Sequence, residues 1–510
     1  MNVVRGLALL GVVIILTAAL LLPLTSASPL ADSEAWIYQS IRELQASPGI
    51  TPTLNGRTLA GQNPLQILFF SLLPSQELFW FRLQIVVLGC ILAGMVFLFG
   101  LRVFDTMTAL FSSLITITSL GFIDMYGALK PLAMPETLSV LAVLIFSLAY
   151  IGKAGSWWYV IAHILAGIAT ISGGWIILGF YIASVIFLIL LDLSPGKLLG
   201  IHPISGILII SGITAVFLAG YRLAAGPNIL TGILSPGEET GFPARIGTVF
   251  TYLLPWLPLL VPAWMFAEKS VDKGTWRDML PVKVAFGVGV AAVLFSARCE
   301  PAFALLSIPF SGLIIGYWIA HGLPVQQPGK ITPAALVLTG ILLFVGAFAA
   351  GVWTLIRAGG VHLSDAALGG VLIALGLAFF ITVLTTRYRA GILIGVCAAF
   401  FLCWGTPMLH DPLQVSAKKA YMHQISTNAP LLVYSDDLPM RGYLGLEGIR
   451  PFIIGRETIP LGASSFLAIR TRSLEDVLEN LEPRMNTTVV SSLLGEATYA
   501  LIKLDPKISF

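Results

Sequence analysis

The chain has 510 residues, of which 57% are hydrophobic and only 11% are charged, whereas an ordinary soluble domain carries about 25% charged residues. This composition argues against a water-soluble enzyme, a disordered regulator and a nucleic-acid binder, because the surface of each needs more charge. The 29 basic and 26 acidic residues nearly cancel, so the net charge of +3 points to no particular partner. The composition predicts an α-helical polytopic membrane protein.

Apolar runs long enough to cross a membrane recur along most of the chain. A spanning helix needs about 20 mostly apolar residues. The first run also fits a signal peptide, since Arg5 precedes it and Thr25-Ser26-Ala27 resembles a cleavage site, so both interpretations stay open there. The runs predict about 13 transmembrane helices, at 6–25, 79–101, 106–123, 137–152, 156–172, 174–192, 204–222, 247–267, 282–297, 301–321, 332–356, 366–386 and 390–408.

Charge is concentrated in the last fifth of the chain. From Leu409 to Phe510, 21 of 102 residues are charged, against 34 of the first 408. Such a shift marks a domain boundary, which predicts a membrane domain over residues 1–408 and a small α/β domain over residues 409–510. This tail contains five β-rich runs, LLVYS, RPFII, SSFLAIR, NTTVVSS and TYALIKL, and a capping-box pattern at Ser473 that predicts one helix.

The predicted loops on the two faces differ in charge. With the N-terminus inside, the inner loops hold 11 Lys and Arg and the outer loops hold 8, which is the orientation that the positive-inside rule favours. An odd number of spans then places the C-terminal domain outside. We therefore predict a multi-pass membrane protein with an extracytoplasmic C-terminal domain.

The predicted outer loops carry ionisable residues of both signs. The first, residues 26–78, opens with LADSEAWIYQSIREL, whose apolar spacing predicts an amphipathic helix along the membrane interface. Basic side chains beside acids suit a site that binds an anionic headgroup and activates a hydroxyl. For any single residue an ordinary loop charge is the alternative, above all for Glu43 and Glu77. The other outer-loop ionisable residues are Asp124, Lys130, Glu136, Arg222, Glu238, Glu239, Arg245, Arg298 and Glu300.

The order of these features resembles that of a known enzyme group. An acidic pair follows the first span, and then come LNG, a Pro-Leu stretch, ELFWFRLQIVVLG, LRVFD, an acidic residue opening the fourth span, and FTYLLPWLPLLVPAW. Through most of residues 1–320 the chain resembles the GT-C glycosyltransferases, in particular the bacterial aminoarabinose transferase and protein O-mannosyltransferase family. The resemblance implies an enzyme that moves a sugar from a polyprenyl-phosphate carrier to a lipid or protein hydroxyl on the outer face, with inversion.

The resemblance also implies which acids act. The family's first-loop carboxylate corresponds to Asp32 or Glu34, which are separated here by Ser33, whereas the family's two acids are adjacent. This residue would be the general base that deprotonates the acceptor hydroxyl. The second-loop carboxylate corresponds to Glu136, which would orient the acceptor. No cofactor is assigned, and a divalent metal held between carboxylates stays open.

The set of cations that the resemblance implies is incomplete in this chain. Arg82 corresponds to the family's arginine near the start of the second span, and Lys130 to the basic residue before the second carboxylate. Lys130, Arg245 and Arg298 would stabilise the departing phosphate, where charge develops in the transition state. In the Pro-Leu stretch, however, Gln62 stands where the family usually has a phosphate-binding lysine.

A second departure concerns the turn before the sixth span. Gly173-Gly174-Trp175 replaces a common Lys-Gly-Pro, so a second family lysine is missing. The alternatives are therefore a diverged, non-catalytic member of the family, or a transporter or flippase of lipid-linked saccharides. No nucleic-acid partner is expected for any of these functions.

Overall fold

The computed structural model is mostly helical where it describes the chain. It describes residues 3–27, 32–49, 51–59, 64–73, 75, 77–192, 200–225, 241–269, 273–295, 301–323, 334–346 and 392–399, isolated helical positions between 371 and 381, and the strands of the C-terminal sheet. The helices are α1 Val3–Ala27, α2 Asp32–Ala46, α3 Pro64–Ser71, α4 Leu78–Val103, α5 Thr106–Ile117, α6 Leu120–Tyr126, α7 Ala133–Tyr150, α8 Trp157–Leu191, α9 Pro203–Ala225, α10 Phe242–Leu253, α11 Leu257–Lys269, α12 Lys273–Phe295, α13 Ile308–Tyr317 and α14 Ala334–Gly346. A 3₁₀-helix, Pro301–Leu306, precedes α13, and a π-helix, Trp318–Gly322, follows it.

Among the described residues, six helices, with α8 counted as one, are long and apolar enough to cross a membrane, or up to eight if each of two bent helix pairs counts as one span. A multi-pass membrane protein follows from these lengths and compositions. The predicted number of 13 spans is not established, because the runs at 332–356, 366–386 and 390–408 are described only in part.

The longest helix, α8, is two antiparallel helices joined at a glycine turn. Gly174 has φ 74° and ψ −159°, a backbone conformation outside the helical region. The hydroxyl of Tyr181 lies 2.9 Å from Nδ1 of His163, although 18 residues of straight helix would separate them by about 27 Å. The chain therefore reverses direction at Gly174, in agreement with the two spans predicted at 156–172 and 174–192.

Two predicted spans, 106–123 and 247–267, are instead broken helix pairs. The pair α5 and α6 bends by 64°, and the pair α10 and α11 by 83°. The first break follows Thr118 and Ser119, whose hydroxyls bond back to the carbonyls of Leu114 and Ile115, a pattern that bends helices. The second break contains Pro255, which has no N–H to continue the helix.

The two breaks pack against each other. The N–H of Leu120 donates to the carbonyl of Leu254 at 3.0 Å, and Nε1 of Trp256 donates to Oγ1 of Thr118 at 3.0 Å. Backbone groups freed by a break at membrane depth must be satisfied within the protein. Each break thus supplies the partners that the other needs, which fixes α6 beside the end of α10.

Small residues allow a close approach between α13 and α5. A Cβ on Gly312 would lie 2.8 Å from the carbonyl oxygen of Ser112, and one on Gly316 would lie 2.6 Å from the Ser112 nitrogen. Glycines four residues apart on one helix face typically mediate such contacts between membrane helices. Ser112, Gly312 and Gly316 are all buried.

The C-terminal strands form one mixed sheet, with order β4-β3-β5-β7-β6. β3 pairs parallel with β4 and β5, whereas β7 pairs antiparallel with β5 and β6. All five predicted β-rich runs lie in this sheet, and the helix predicted at Ser473 lies outside the described residues. The strands are β1 Thr53–Leu54 and β2 Arg57–Thr58, which form a separate hairpin, and β3 Leu431–Tyr434, β4 Phe452–Ile454, β5 Ser465–Arg470, β6 Met485–Ser492 and β7 Tyr499–Pro506.

The chain divides into two compact units. The first comprises Met1–Ala27, Ala60–Gln66 and Arg82–Leu409, and it contains the helices that could span a membrane. The second comprises Ser28–Leu59, Ile67–Phe81 and His410–Phe510, and it contains the C-terminal sheet and most of the first predicted outer loop.

Candidate functional site

Several helix ends of the first unit meet at one end of the bundle. Nη1 of Arg82, in the second turn of α4, donates to the carbonyl of Thr25 near the end of α1, at 2.9 Å. The turn of α8 packs on the start of α7, since a Cβ on Gly173 would lie 2.7 Å from Cβ of Pro135. We call this region the site end. It contains Arg82, Lys130 and Glu136, three of the residues that the sequence predicts for the site.

Lys130 is held at the site end through both its side chain and its backbone. Its Nζ lies 3.1 Å from Oδ1 of Asp124, which is the fifth residue of α6. The hydroxyl of Tyr252, at the end of α10, donates to the other oxygen of Asp124 at 2.7 Å. The carbonyl of Lys130 accepts a hydrogen bond from Nε2 of Gln66 at 2.6 Å.

The contact between Asp124 and Tyr252 follows from the packed helix breaks. Because α6 is fixed beside the end of α10, Asp124 and Tyr252 come within hydrogen-bonding distance although 128 residues separate them. Asp124 and Lys130 are both partly exposed, with side-chain exposures of 42% and 22%. Gln66 is buried and lies four residues after Gln62, which is outside the described residues. Gln66 therefore binds the backbone of the residue whose ammonium pairs with Asp124.

Glu136 is a fully buried carboxylate in the first turn of α7. Its neighbour Thr137 forms a hydrogen bond of 2.5 Å with the hydroxyl of Tyr126, and Tyr126 and Leu21 of α1 both pack against Gly89 of α4. The first turn of a helix is a favourable place for a carboxylate, because the exposed N–H groups carry partial positive charge. Sequence patterning suggested an outer loop here, but α6 and α7 extend through most of it.

Arg82 is an almost fully buried guanidinium. Besides donating to Thr25, it lies seven residues before Gly89, on which Tyr126 packs, so α4 connects Arg82 to the surroundings of Glu136. A buried arginine is always charged and needs acceptors around it. The site end thus holds a buried cation, a buried carboxylate and the more accessible Lys130.

The remaining predicted cations are Arg245 and Arg298. Arg245 lies on α10, two turns before Tyr252, and its Nη1 donates to the carbonyl of Leu294 at the end of α12, at 3.2 Å. Arg298 lies outside the described residues. Over the described ranges, no group of three or more His, Cys, Asp or Glu side chains is arranged to hold a metal ion.

The first predicted outer loop lies in the second unit and forms the predicted helix, α2. Glu34 on α2 is fully buried, and Asp32 is the first residue of the helix, with its side chain outside the described set. Burial raises the pKa of Tyr38, a shift that the cation of Arg42 opposes and Glu77 reinforces. Asp32 and Glu34 thus belong to a different unit from Glu136 and Lys130, and their predicted part in the same site stays a prediction.

Glu43 is not the ordinary loop charge that the sequence suggests. Its carboxylate accepts hydrogen bonds from Nε2 of Gln39 at 2.9 Å and from Oγ1 of Thr53 at 2.8 Å. It also accepts from the backbone N–H groups of Asn55 at 2.7 Å and Gly56 at 3.1 Å. Both turn residues have positive φ, so Glu43 fixes the β1–β2 turn onto α2.

Sequence patterning did not identify Gln66 or Tyr252 as part of the site. Each acts through a contact with a distant residue, and no local spacing rule links them to Lys130 or Asp124. The available signal was indirect, because Gln66 follows the Pro-Leu stretch and Tyr252 lies in FTYLLPWLPLLVPAW, both of which contribute to the family resemblance.

The fold of the chain is similar to the folds of solved enzymes of the GT-C glycosyltransferase superfamily. The structure of ArnT from Cupriavidus metallidurans bound to undecaprenyl phosphate is similar over 98% of each chain, with TM-score 0.68 and 14% sequence identity. The archaeal oligosaccharyltransferase AglB from Archaeoglobus fulgidus, in complex with an inhibitory peptide and a dolichol-phosphate, covers 95% of this chain and 69% of its own, with TM-score 0.52 and 11% identity. No family model and no curated protein sequence matches the chain.

Proposed function

We propose that this protein is a membrane glycosyltransferase that moves a sugar from a polyprenyl-phosphate carrier to a hydroxyl of a lipid or protein acceptor. The reaction would take place at the outer face of the plasma (inner) membrane, with inversion at the sugar. The observation that carries the proposal is the presence, at one end of an apolar bundle, of a partly exposed lysine, Lys130, and a buried carboxylate, Glu136, six residues later. The GT-C fold and the carriers bound in ArnT and AglB support it.

Lys130 is the cation that binds the carrier phosphate in this proposal. The family lysine is replaced by Gln62, but Gln66 on the same segment binds the carbonyl of Lys130. In this proposal Lys130 takes the place of the lysine that the resemblance leads us to expect at Gln62. Arg245 has its guanidinium directed to Leu294, and it supports the phosphate less directly. A lysine ammonium suits this task because it binds phosphate as a compact charge.

The chemistry assigned to the acids follows the sequence prediction. The acceptor oxygen attacks the anomeric carbon while the bond from that carbon to the phosphate oxygen breaks, and the phosphate leaves with the electron pair. Asp32 or Glu34 takes the hydroxyl proton as general base. Glu136 orients the acceptor, and buried Arg82 and Lys130 stabilise the negative charge that develops on the departing phosphate.

The test is sugar transfer in membranes supplied with radiolabelled polyprenyl-phosphate sugars. We expect label to move to a lipid or protein fraction, and we expect Lys130→Ala to reduce transfer by about tenfold or more, because it removes a charge-assisted contact to the phosphate. Lys153→Ala is the matched control, since Lys153 forms a longer ion pair with Asp278, 3.9 Å, away from the site end.

Two results would contradict the proposal. If label crosses the membrane without being transferred to any acceptor, the protein is a transporter or flippase of lipid-linked saccharides. If the wild-type protein neither transfers nor translocates label with any donor, the protein is a diverged, non-catalytic member of the family.

A further inference from the structure

Asp124 places a negative charge directly beside the cation that would bind the carrier phosphate. Its Oδ1 is 3.1 Å from Nζ of Lys130, and its Oδ2 is fixed by the Tyr252 hydroxyl at 2.7 Å. Both side chains of the ion pair are partly exposed, so an anion can approach the ammonium while Asp124 stays in place. Any phosphate bound to Lys130 is therefore also repelled by a carboxylate held a short distance away.

The two carrier species of the proposed reaction differ in charge. The donor is a phosphodiester, which carries one negative charge, whereas the product is a phosphomonoester, which carries about −1.5 to −2 at pH 7. A fixed carboxylate repels the product more than the donor. The arrangement thus opposes the excess attraction that a lone lysine would have for the product, the more highly charged ligand.

We propose that Asp124 is a specificity-determining residue, which makes the Lys130 site favour the diester donor and release the monoester product. This inference rests on the proposed function for the identity of the ligand. It does not require Asp124 to touch the reacting atoms, because the effect is one of charge at short range.

The expected change in phosphate affinity on removing the charge of Asp124 follows from Coulomb's law. A carboxylate about 6 Å from the phosphate, in a water-like dielectric, changes affinity by about threefold per unit of ligand charge. Asp124→Asn keeps an acceptor for Tyr252 and Lys130 but removes the charge. We therefore expect it to tighten binding of a monoester by about tenfold and of a diester by about threefold.

The experiment measures binding of undecaprenyl phosphate and of its methyl diester to the purified full-length protein in lipid nanodiscs. Asp278→Asn is the matched control, because it removes the same charge from a second Asp–Lys pair, the one that Asp278 forms with Lys153. Asp124→Glu restores the charge and should restore the wild-type ratio of the two affinities. Tyr252→Phe removes the hydrogen bond to Asp124 but leaves its charge, so the ratio of the two affinities in this variant should also stay near the wild-type value. If Asp124→Asn does not fold, Asp124→Ser removes the same charge and provides the same test.

The results separate the inference from the proposed function. If Asp124→Asn changes both affinities equally, or weakens both, Asp124 only positions Lys130 and the inference is wrong, while carrier binding by the wild type still supports the function. The inference is also wrong if Tyr252→Phe shifts the ratio as much as Asp124→Asn does, because packing then explains the effect. If the wild type binds neither phosphate, the proposed carrier and the inference are both overturned.

Discussion

The acidic residues of the first predicted outer loop differ in their contacts, and these contacts decide which residue can serve as a control. Glu43 accepts four hydrogen bonds and fixes the β1–β2 turn, so replacing it would disturb the fold of the loop. Glu77 is exposed, and Glu77→Gln changes charge without removing a buried contact. It is therefore the suitable comparison for substitutions of Asp32 and Glu34.

We predict that Asp32→Asn lowers turnover by about 10²–10⁴-fold, the usual contribution of a general base, because the amide keeps the shape but cannot accept the proton. The protein should still insert into the membrane, and Glu77→Gln should retain near wild-type transfer. The measurement is the rate of sugar transfer at saturating donor. Full activity of Asp32→Asn together with loss of activity in Glu34→Gln would make Glu34 the base. Full activity of both variants would remove the first loop from the mechanism.

At the scale of elements, the turn of α8 depends on one glycine. Gly174 has φ 74°, where a side chain is strained by about 1–3 kcal/mol. Gly174→Ala should therefore lower the melting temperature in detergent, and it should also reduce transfer because the turn packs on Pro135, next to Glu136. Gly179→Ala is the control, since a Cβ there meets no atom within 4 Å and alanine favours a helix. Equal melting temperatures for the two variants would contradict the strained turn.

The start of α5 provides a pH-dependent test. Asp105 caps α5 by accepting from the N–H groups of Met107 and Thr108, and its other oxygen lies 2.6 Å from Nε2 of His321. Burial alone would raise the pKa of Asp105, but the hydrogen bonds from Thr108, His321 and Met107 outweigh it and hold this pKa below its usual value. The pKa of Asp105 is therefore lower in the folded state than in the unfolded state. Ionised Asp105 stabilises the folded state fully above the unfolded-state pKa, and this stabilisation is lost as the pH falls through the folded-state pKa.

We therefore predict that Asp105→Ala destabilises the protein at pH 7 by about 1 kcal/mol, the typical contribution of a helix cap. The difference in melting temperature between this variant and the wild type should shrink as the pH is lowered below about 4. Thermal unfolding in detergent at pH 7 and at pH 3.5 measures it. A difference that is as large at the lower pH would show that the cap does not depend on ionised Asp105.

At the scale of the whole molecule, exposed tryptophans occur near both ends of the membrane helices. Trp175 follows the α8 turn at the site end, whereas Trp157 and Trp276 lie at the start of α8 and near the start of α12, away from the site end. Tryptophan is enriched where apolar helices meet the headgroups on either side of a bilayer. The site end is therefore expected at an interface, where a polyprenyl phosphate would present its headgroup.

The predicted orientation is tested by labelling. We expect cysteines introduced at Ser33 and Ser473 to react with a membrane-impermeant reagent from outside, and one at Ser270 to react only after permeabilisation. The reason is that an odd number of spans, oriented by the basic inner loops, separates the first two positions from the third. Labelling of Ser33 and Ser473 from opposite faces would contradict the predicted topology and the outer-face site.

The sequence by itself predicted the class of the protein, the apolar runs that form the six candidate spanning helices of the described part of the chain, and the five strands of the tail. These features are local. An apolar run of about 20 residues, or an alternation of apolar and polar residues over about 5, can be recognised without knowing any distant contact. The family resemblance depended on the order of such features, and it led to the fold that the structural comparisons support.

Only the tertiary structure decided how the site end is built. The broken helices pack together because each satisfies the other's freed backbone groups, and this contact joins Asp124 to Tyr252 across 128 residues. Likewise, Gln66 reaches Lys130 across 64 residues. The free energy of such contacts depends on burial and mutual geometry, which a linear pattern does not contain. For this reason the sequence could identify Lys130 as a candidate, whereas the tertiary structure was needed to reveal the groups that hold it.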